Sequence, residues 1–206
     1  MKKFELTSEF ITNIFGTKLF RIKALIEFGN VKAGELGGFV EKEENLSQDG
    51  NAWVYDNARV YGDARVHGNA RVYDNARVYD NAWVYGNAWV YDNARVYGDA
   101  CVYGDARVCG DACVYGDARV CGDARVCGDA CVYGDAGYAT VHGFGSEYRT
   151  TTFFKTKAGV GVKCGCFYGN LSEFRKKVVE THGETKKAKE YLMLADLMEF
   201  RFSDNS

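Results

Sequence analysis

The sequence predicts a mainly β fold: a parallel β-helix of six-residue units, closed by an N-terminal β cap and followed by a small α+β domain. Three observations carry this. From Gly50 to Tyr133 the chain repeats Gly/Asp–Asn/Asp–Ala–Arg/Trp/Cys–Val–Tyr/His/Cys, 14 complete units without an insertion. All 13 Phe, every Leu and every Ile lie outside residues 50–139, whereas the three Trp and ten of the 14 Tyr fall between residues 50 and 133. The flanks return to ordinary patterning, with strand-like alternation before the array and helical stripes after it.

Within each unit Ala and Val stand two apart, at 52 and 54, 58 and 60, and onward to 130 and 132. On an extended strand they point to one side, and the residues between and after them point to the other. Gly, Asn and Asp supply the corner because they tolerate tight or left-handed dihedrals. So short a strand cannot bury its apolar face alone, so successive units must wind into a tube and stack.

The spacing Val54…Ala58, Val60…Ala64, Val66…Ala70 resembles the hexapeptide-repeat, left-handed parallel β-helix family over roughly residues 38–143. The resemblance implies three hexads per triangular coil, an 18-residue period and a left-handed winding, which departs from the usual right-handed crossover. It also implies trimers packed side by side.

An 18-residue period sorts the outward residues into columns. One face carries Tyr61, Tyr79, Tyr97, Tyr115 and Tyr133 beside Arg59, Arg77 and Arg95, then Cys113 and Cys131. Stacked guanidinium groups repel, and Asp56, Asp74 and Asp92 at the preceding corner are expected to compensate them. A second face reads Trp53, Arg71, Trp89, Arg107, Arg125, and a third Arg65, Trp83, Cys101, Arg119. Such rows suit a pleated, half-exposed surface, and so many outward aromatics also make a patch that calls for a ligand or partner. The candidate binding residues on the array are the five ladder tyrosines, the three arginines, Trp53 and Trp89. Cys101, Cys109, Cys113, Cys121, Cys127 and Cys131 each fill an Arg or Tyr slot, one base from either codon, and are expected as reduced thiols.

The domain reading is a cap over 1–49, the β-helix over 50–143 and a ββαα domain over 144–206. In the cap, Phe20–Phe28 alternates as a strand, with Gly16-Thr17 turning it back on a strand at Phe10–Phe15, and Val40 and Leu46 fall in the Ala frame. After Asp135 the frame slips, leaving Ala139-Thr140-Val141-His142-Gly143 as a last imperfect unit. A hairpin over Tyr148–Lys155 and Val160–Phe167 follows. Then come a helix over Leu171–His182 with Ser172 as N-cap, and a second helix over Thr185–Glu199. Thr151 and Thr152, with Cys166 and Phe167, are candidate lining of a small pocket. Cys164-Gly165-Cys166 with a single distant His182 lacks the ligand count of a structural zinc site, so no metal and no cofactor is expected.

The formal charge of −2, from 26 basic and 28 acidic residues, gives no field for sequence-independent DNA binding. No run of 18 apolar residues and no apolar N-terminal stretch is present, so no membrane span or export signal is expected, and the setting is read as cytoplasmic. Gly37-Gly38-Phe39-Val40-Glu41-Lys42-Glu43-Glu44-Asn45-Leu46-Ser47, Cys164-Gly165-Cys166-Phe167, Glu173-Phe174-Arg175-Lys176-Lys177-Val178 and Thr181-His182-Gly183 also resemble phage and prophage proteins of gut bacteria. That likeness implies a phage-encoded binding protein acting in an infected cell, with a small nucleotide or a host protein as its partner. The functional expectation is a non-catalytic, homotrimeric binding protein with no catalytic residue. The family resemblance also implies an alternative, an acetyl-CoA-dependent acyltransferase using His67 or His142 as general base. A structural or polymer-forming module is the third reading.

Overall fold

The computed structural model describes residues 2–134, 137–145 and 149–203. Each hexad contributes one strand of two or three residues, from β4 (Trp53–Val54) through β17 (Cys131–Tyr133), and each strand up to Cys113–Tyr115 pairs in parallel with the one 18 residues on. Arg59 stacks on Arg77, Arg77 on Arg95, Arg95 on Cys113 and Cys113 on Cys131. The result is a three-faced β-solenoid of nearly five coils whose interior is Ala and Val throughout, each at most 1% exposed.

Corners explain the first residue of the hexad. All 14 of these positions, ten Gly and four Asp, have φ between 51° and 71°, the left-handed region that glycine enters without penalty. The stacking makes some of them obligatory: a Cβ on Gly86 would lie 2.9 Å from the backbone N of Gly104. Where Asp replaces Gly, its carboxylate reaches up to the next coil. Asp92 accepts from the Gly110 N–H at 3.0 Å, Asp74 from Asp92 N–H at 3.3 Å, and Asp80 from Gly98 N–H at 3.4 Å. The second hexad position builds amide ladders, with Asn51 donating to Asn69, Asn69 to Asn87 and Asn87 to Asp105 at 3.0–3.1 Å.

The cap covers the first coil by extending one solenoid face. Strands β1 (Phe4–Thr12) and β2 (Lys18–Ala24) form an antiparallel hairpin, β3 (Leu36–Val40) adds to β2, and β3 then pairs in parallel with Arg59–Val60, making an eight-stranded sheet. The hairpin lies closer to the N-terminus than its alternation predicts, because Asn13 closes the turn by accepting from the N–H groups of Phe15 and Thr17. Val40 stacks on Val60 and Leu46 on Val66. Their offset is therefore 20 residues, and they sit in the Val column instead of the Ala column that the frame predicts. Two buried polar side chains satisfy carbonyls of the first coil. The Asn45 amide donates to Gly62 and Ala64, and the Lys3 ammonium donates to Ala52 at 3.0 Å and Gly50 at 3.4 Å while lying over the Phe28 ring. Burial pushes the Lys3 pKa down to about 8, against the attraction of Asp49.

At the other end, β18 (Tyr138–Val141), β19 (Thr151–Thr156), β20 (Gly159–Cys164) and β21 (Phe167–Asn170) form an antiparallel sheet. The imperfect last unit is thus an antiparallel strand and not a coil turn. The expected frame slip at Asp135-Ala136 and the expected strand start at Tyr148 lie outside the described residues. Phe154 is fully buried in the solenoid core and plugs the tube, and Arg125 N–H donates to the Thr152 hydroxyl at 3.1 Å. Gly165, at φ 57°, turns the chain so that Phe167–Asn170 pairs back on β20, a third strand that the sequence reading ran together with the second. Helix α1 (Leu171–His182) is capped by Asn170, not Ser172: the Asn170 side chain accepts from Glu173 N–H and the Glu173 carboxylate accepts from Asn170 N–H, both at 2.9 Å. Helix α2 (Lys186–Phe202) starts at the Thr185 cap. Phe153, Phe174, Tyr191 and Met198 form the separate core of this domain. Among the described residues no helix is long and apolar enough to cross a membrane.

Candidate functional site

The tyrosine column forms a ladder on the eight-stranded face. Tyr61, Tyr79, Tyr97 and Tyr115 stack with ring centroids 5.0, 4.9 and 5.1 Å apart and planes within 7° of parallel. Strict translation by one coil leaves each ring one rotamer that both fits the pleat and meets its neighbours. Burial between rungs raises the phenol pKa values of Tyr61 and Tyr97. That of Tyr79 is pushed up to about 12 by burial and by the phenols of Tyr61 and Tyr97 on either side.

Tyr133 breaks the stack. Its ring lies 5.1 Å from Tyr115 but tilts by 44°, and it is 65% exposed. Below this last rung lies a cavity of about 510 Å³ between Tyr115, Cys131 and Tyr133 on the solenoid and, from the C-terminal sheet and the segments beside it, Gly137, Lys155, Thr156 and Lys157. The ladder therefore ends in a space flanked by two lysines. The sequence reading did not include them. Their signal was the pattern Lys155-Thr156-Lys157 beside the predicted turn, but only docking of the hairpin on the last coil brings it to the ladder.

The other candidate residues do not share this site. Arg59, Arg77 and Arg95 run beside the ladder in register. Among the described residues no ion pair joins them to Asp56, Asp74 or Asp92, and the carboxylates of Asp74 and Asp92 serve backbone N–H groups of the next coil instead. Trp89 lies on the five-stranded face, held between the guanidinium groups of Arg71 at 5.3 Å and Arg107 at 4.8 Å. Trp53 is fully buried, packed edge-on by Phe4 and Phe28, because the cap crosses that face at the first coil. Its position in the column reads as surface, and its burial leaves the indole N–H without a partner. Thr151 and Thr152 are buried too. Thr151 donates to the Cys164 thiol at 3.2 Å, and Thr152 receives the Arg125 N–H. Cys166 and Phe167 line a different cavity within the C-terminal domain.

Among the described residues none of the eight cysteines forms a disulfide. Cys109 and Cys127, one coil apart, share a hydrogen bond, which with the Tyr91 hydroxyl lowers the Cys109 pKa to about 7 and raises that of Cys127. Among the described residues no three His, Cys, Asp or Glu side chains are grouped to hold a metal. His67 stacks on Tyr85 at 4.9 Å and meets Trp83 edge-on, and burial lowers its pKa, assisted by Arg65.

Comparison with known proteins agrees with the coils. Residues 52–68, 70–86, 88–104, 106–122 and 118–134 each match the family model described as the YdcK beta solenoid repeat. The middle of this chain is a repeat β-solenoid. A relative from Escherichia coli (strain K12), named "Uncharacterized acetyltransferase YdcK", is 40% identical over 63 residues. That stretch is 27% of this chain and 19% of the relative, so the chain spans about a fifth of the length of the protein it matches.

Proposed function

We propose that this chain is a non-catalytic binding protein whose rigid solenoid captures a small nucleotide at the end of its tyrosine ladder. One observation carries the reading: a coplanar aromatic stack that terminates in a tilted, exposed rung beside two lysines. Rungs 4.9–5.1 Å apart cannot admit a base between them, since a base sandwiched by two rings needs roughly twice the 3.4 Å rise of stacked nucleic acid. A base can stack only on the open end, at Tyr133. There Lys155 and Lys157 supply the charge that a phosphate requires, in a cavity of about 510 Å³, within the size range of small-molecule sites. The reading includes a homotrimer and a phage-encoded role in the bacterial cytoplasm, sequestering a host nucleotide signal, with a host protein as the alternative partner.

Equilibrium binding of adenosine monophosphate tests the site. The full chain is expected to bind it, with Tyr133→Ala and the double variant Lys155→Gln/Lys157→Gln each weakening affinity about tenfold or more. Equal affinity in all three proteins would overturn the reading. Native mass spectrometry reports the trimer at the same time.

The name of the matched relative favours a second reading, acyl transfer. It calls for a His general base, and His67, whose pKa burial lowers, is the residue on the solenoid for that role. Acetyl-CoA turnover abolished by His67→Ala would establish it in place of the binding reading.

A further inference from the structure

The C-terminal domain holds a second cavity, of about 320 Å³, far in sequence from the ladder residues and independent of the reading above. Its floor is aromatic: Phe174 meets Phe167 at 5.5 Å and Tyr191 at 5.7 Å. Its mouth is lined by two cations, Arg149 and Lys177, and by the imidazole of His182, and among the described residues the lining contains no carboxylate.

The fold places these three side chains. Gly165 makes the turn between β20 and β21 at φ 57°, and a Cβ there would lie 2.5 Å from Nη1 of Arg149, so the guanidinium rests directly on the turn. The His182 ring, in the last turn of α1, lies against Tyr191 at 5.8 Å and 27°. Lys177 has a carboxylate neighbour, Glu180 at 3.8 Å, but the two side chains are 60% and 51% exposed, a screened pair that leaves the lysine's charge usable. A metal does not fit this site. The Cys164 thiol is turned inward to the hydroxyls of Thr151 at 3.2 Å and Tyr191 at 4.0 Å, away from a shared centre with Cys166.

We infer that this cavity binds a small aromatic oxyanion, a single ring bearing a carboxylate or phosphate, with the ring on the Phe167–Phe174–Tyr191 floor and the anion at Arg149 and His182. The volume sits at the small end of ligand sites, which suits one ring. Arg149 offers the planar fork that carboxylate and phosphate accept in pairs.

The test uses the full chain with phenyl phosphate and benzoate as probes, and benzyl alcohol and inorganic phosphate as controls. Two readouts locate binding: backbone amide shifts in isotope-labelled protein, and peptide-resolved alkylation of the exposed Cys166 thiol at the cavity mouth. The expected result is binding of at least one probe with shifts at Gly165, Cys166 and His182 and slowed Cys166 alkylation. Arg149→Gln, an exposed position that leaves the core intact, should weaken it roughly tenfold. His182→Gln should weaken it less, and Lys157→Gln should leave it unchanged. The inference is overturned if neither probe binds, if benzyl alcohol or inorganic phosphate binds as well as the probes, or if Arg149→Gln has no effect. Binding that responds to Lys157→Gln and not to Arg149→Gln would place the probe at the ladder foot, overturning this site while supporting the other.

Discussion

The coils before residue 99 and those after it share one interior and differ on the outside. Both bury the same Ala and Val at 0–1% exposure. In the earlier coils the second hexad position is Asn in every unit except at Asp63, and amide hydrogen bonds tie coil to coil. From Asp99 onward every such position is Asp, and all six array cysteines lie in this part. The amide ladders stop at Asp99, Asp105 and Asp111, whose carboxylates accept from Asn81, Asn87 and Asn93 but carry no side-chain N–H to offer the following coil. The contrast teaches that the tube is held by its interior and corners, while the outer rows tune coupling between coils and are free to change chemistry.

The largest expected effect tests whether the two ends are plugged equally. Phe154→Ala, which empties the C-terminal plug, should cost about 3–5 kcal/mol in chemical denaturation and loosen the C-terminal sheet from the last coil. A cost near that of a surface change would mean that the later coils do not need their plug. A glycine column gives the next comparison. Gly104→Ala meets both a left-handed φ of 71° and the backbone of Gly122, and should cost roughly 2–4 kcal/mol. Gly122→Ala, with nothing within 4 Å, should cost only about 1 kcal/mol. Equal costs would show that backbone strain alone governs the corners.

The ladder gives a smaller effect with a pH signature. Tyr79→Leu removes two stacked contacts and should cost about 1 kcal/mol. The Tyr79 phenol is raised from 10.0 to about 12 in the folded chain, so the unfolded chain ionises first. Its contribution is complete below pH 10 and is lost as pH rises toward 12, which tyrosinate absorbance and denaturation together would follow. Lys3 has the opposite sign: its lowered pKa makes stability rise between about pH 8 and 10.5, and Lys3→Met should abolish that rise. The smallest effect concerns the outer rows. Asn69→Ala breaks two amide bonds and should cost about 1 kcal/mol, whereas Asp105→Asn extends a ladder by one rung and should gain about 0.5 kcal/mol in thermal unfolding.

The coil architecture was legible because it depends on short-range rules repeated without interruption. Side-chain alternation sends Ala and Val inward, and a left-handed corner every six residues sets the bend. Translation by 18 residues then fixes the ladder of Tyr61, Tyr79, Tyr97 and Tyr115. The helix stripes were legible for the same reason, and the Asn170–Glu173 capping box begins two residues before Ser172, where the pattern alone sets the cap. Where the period ends, so does that clarity. Nothing in its column separates Trp53 from Trp89, yet the cap buries the first and leaves the second between two arginines.

The sequence by itself determined the tube, its corners and its rows, since each follows from interactions between residues at a constant spacing. Only the tertiary structure decided how the ends close: the 20-residue offset of Val40 and Leu46, the burial of Trp53, the arrival of Lys155 and Lys157 beside Tyr133, and the gathering of Arg149 and His182 around the Cys-Gly-Cys turn. Those contacts join segments with no common period, and their geometry is set by how one packed body docks on another, which no local pattern encodes.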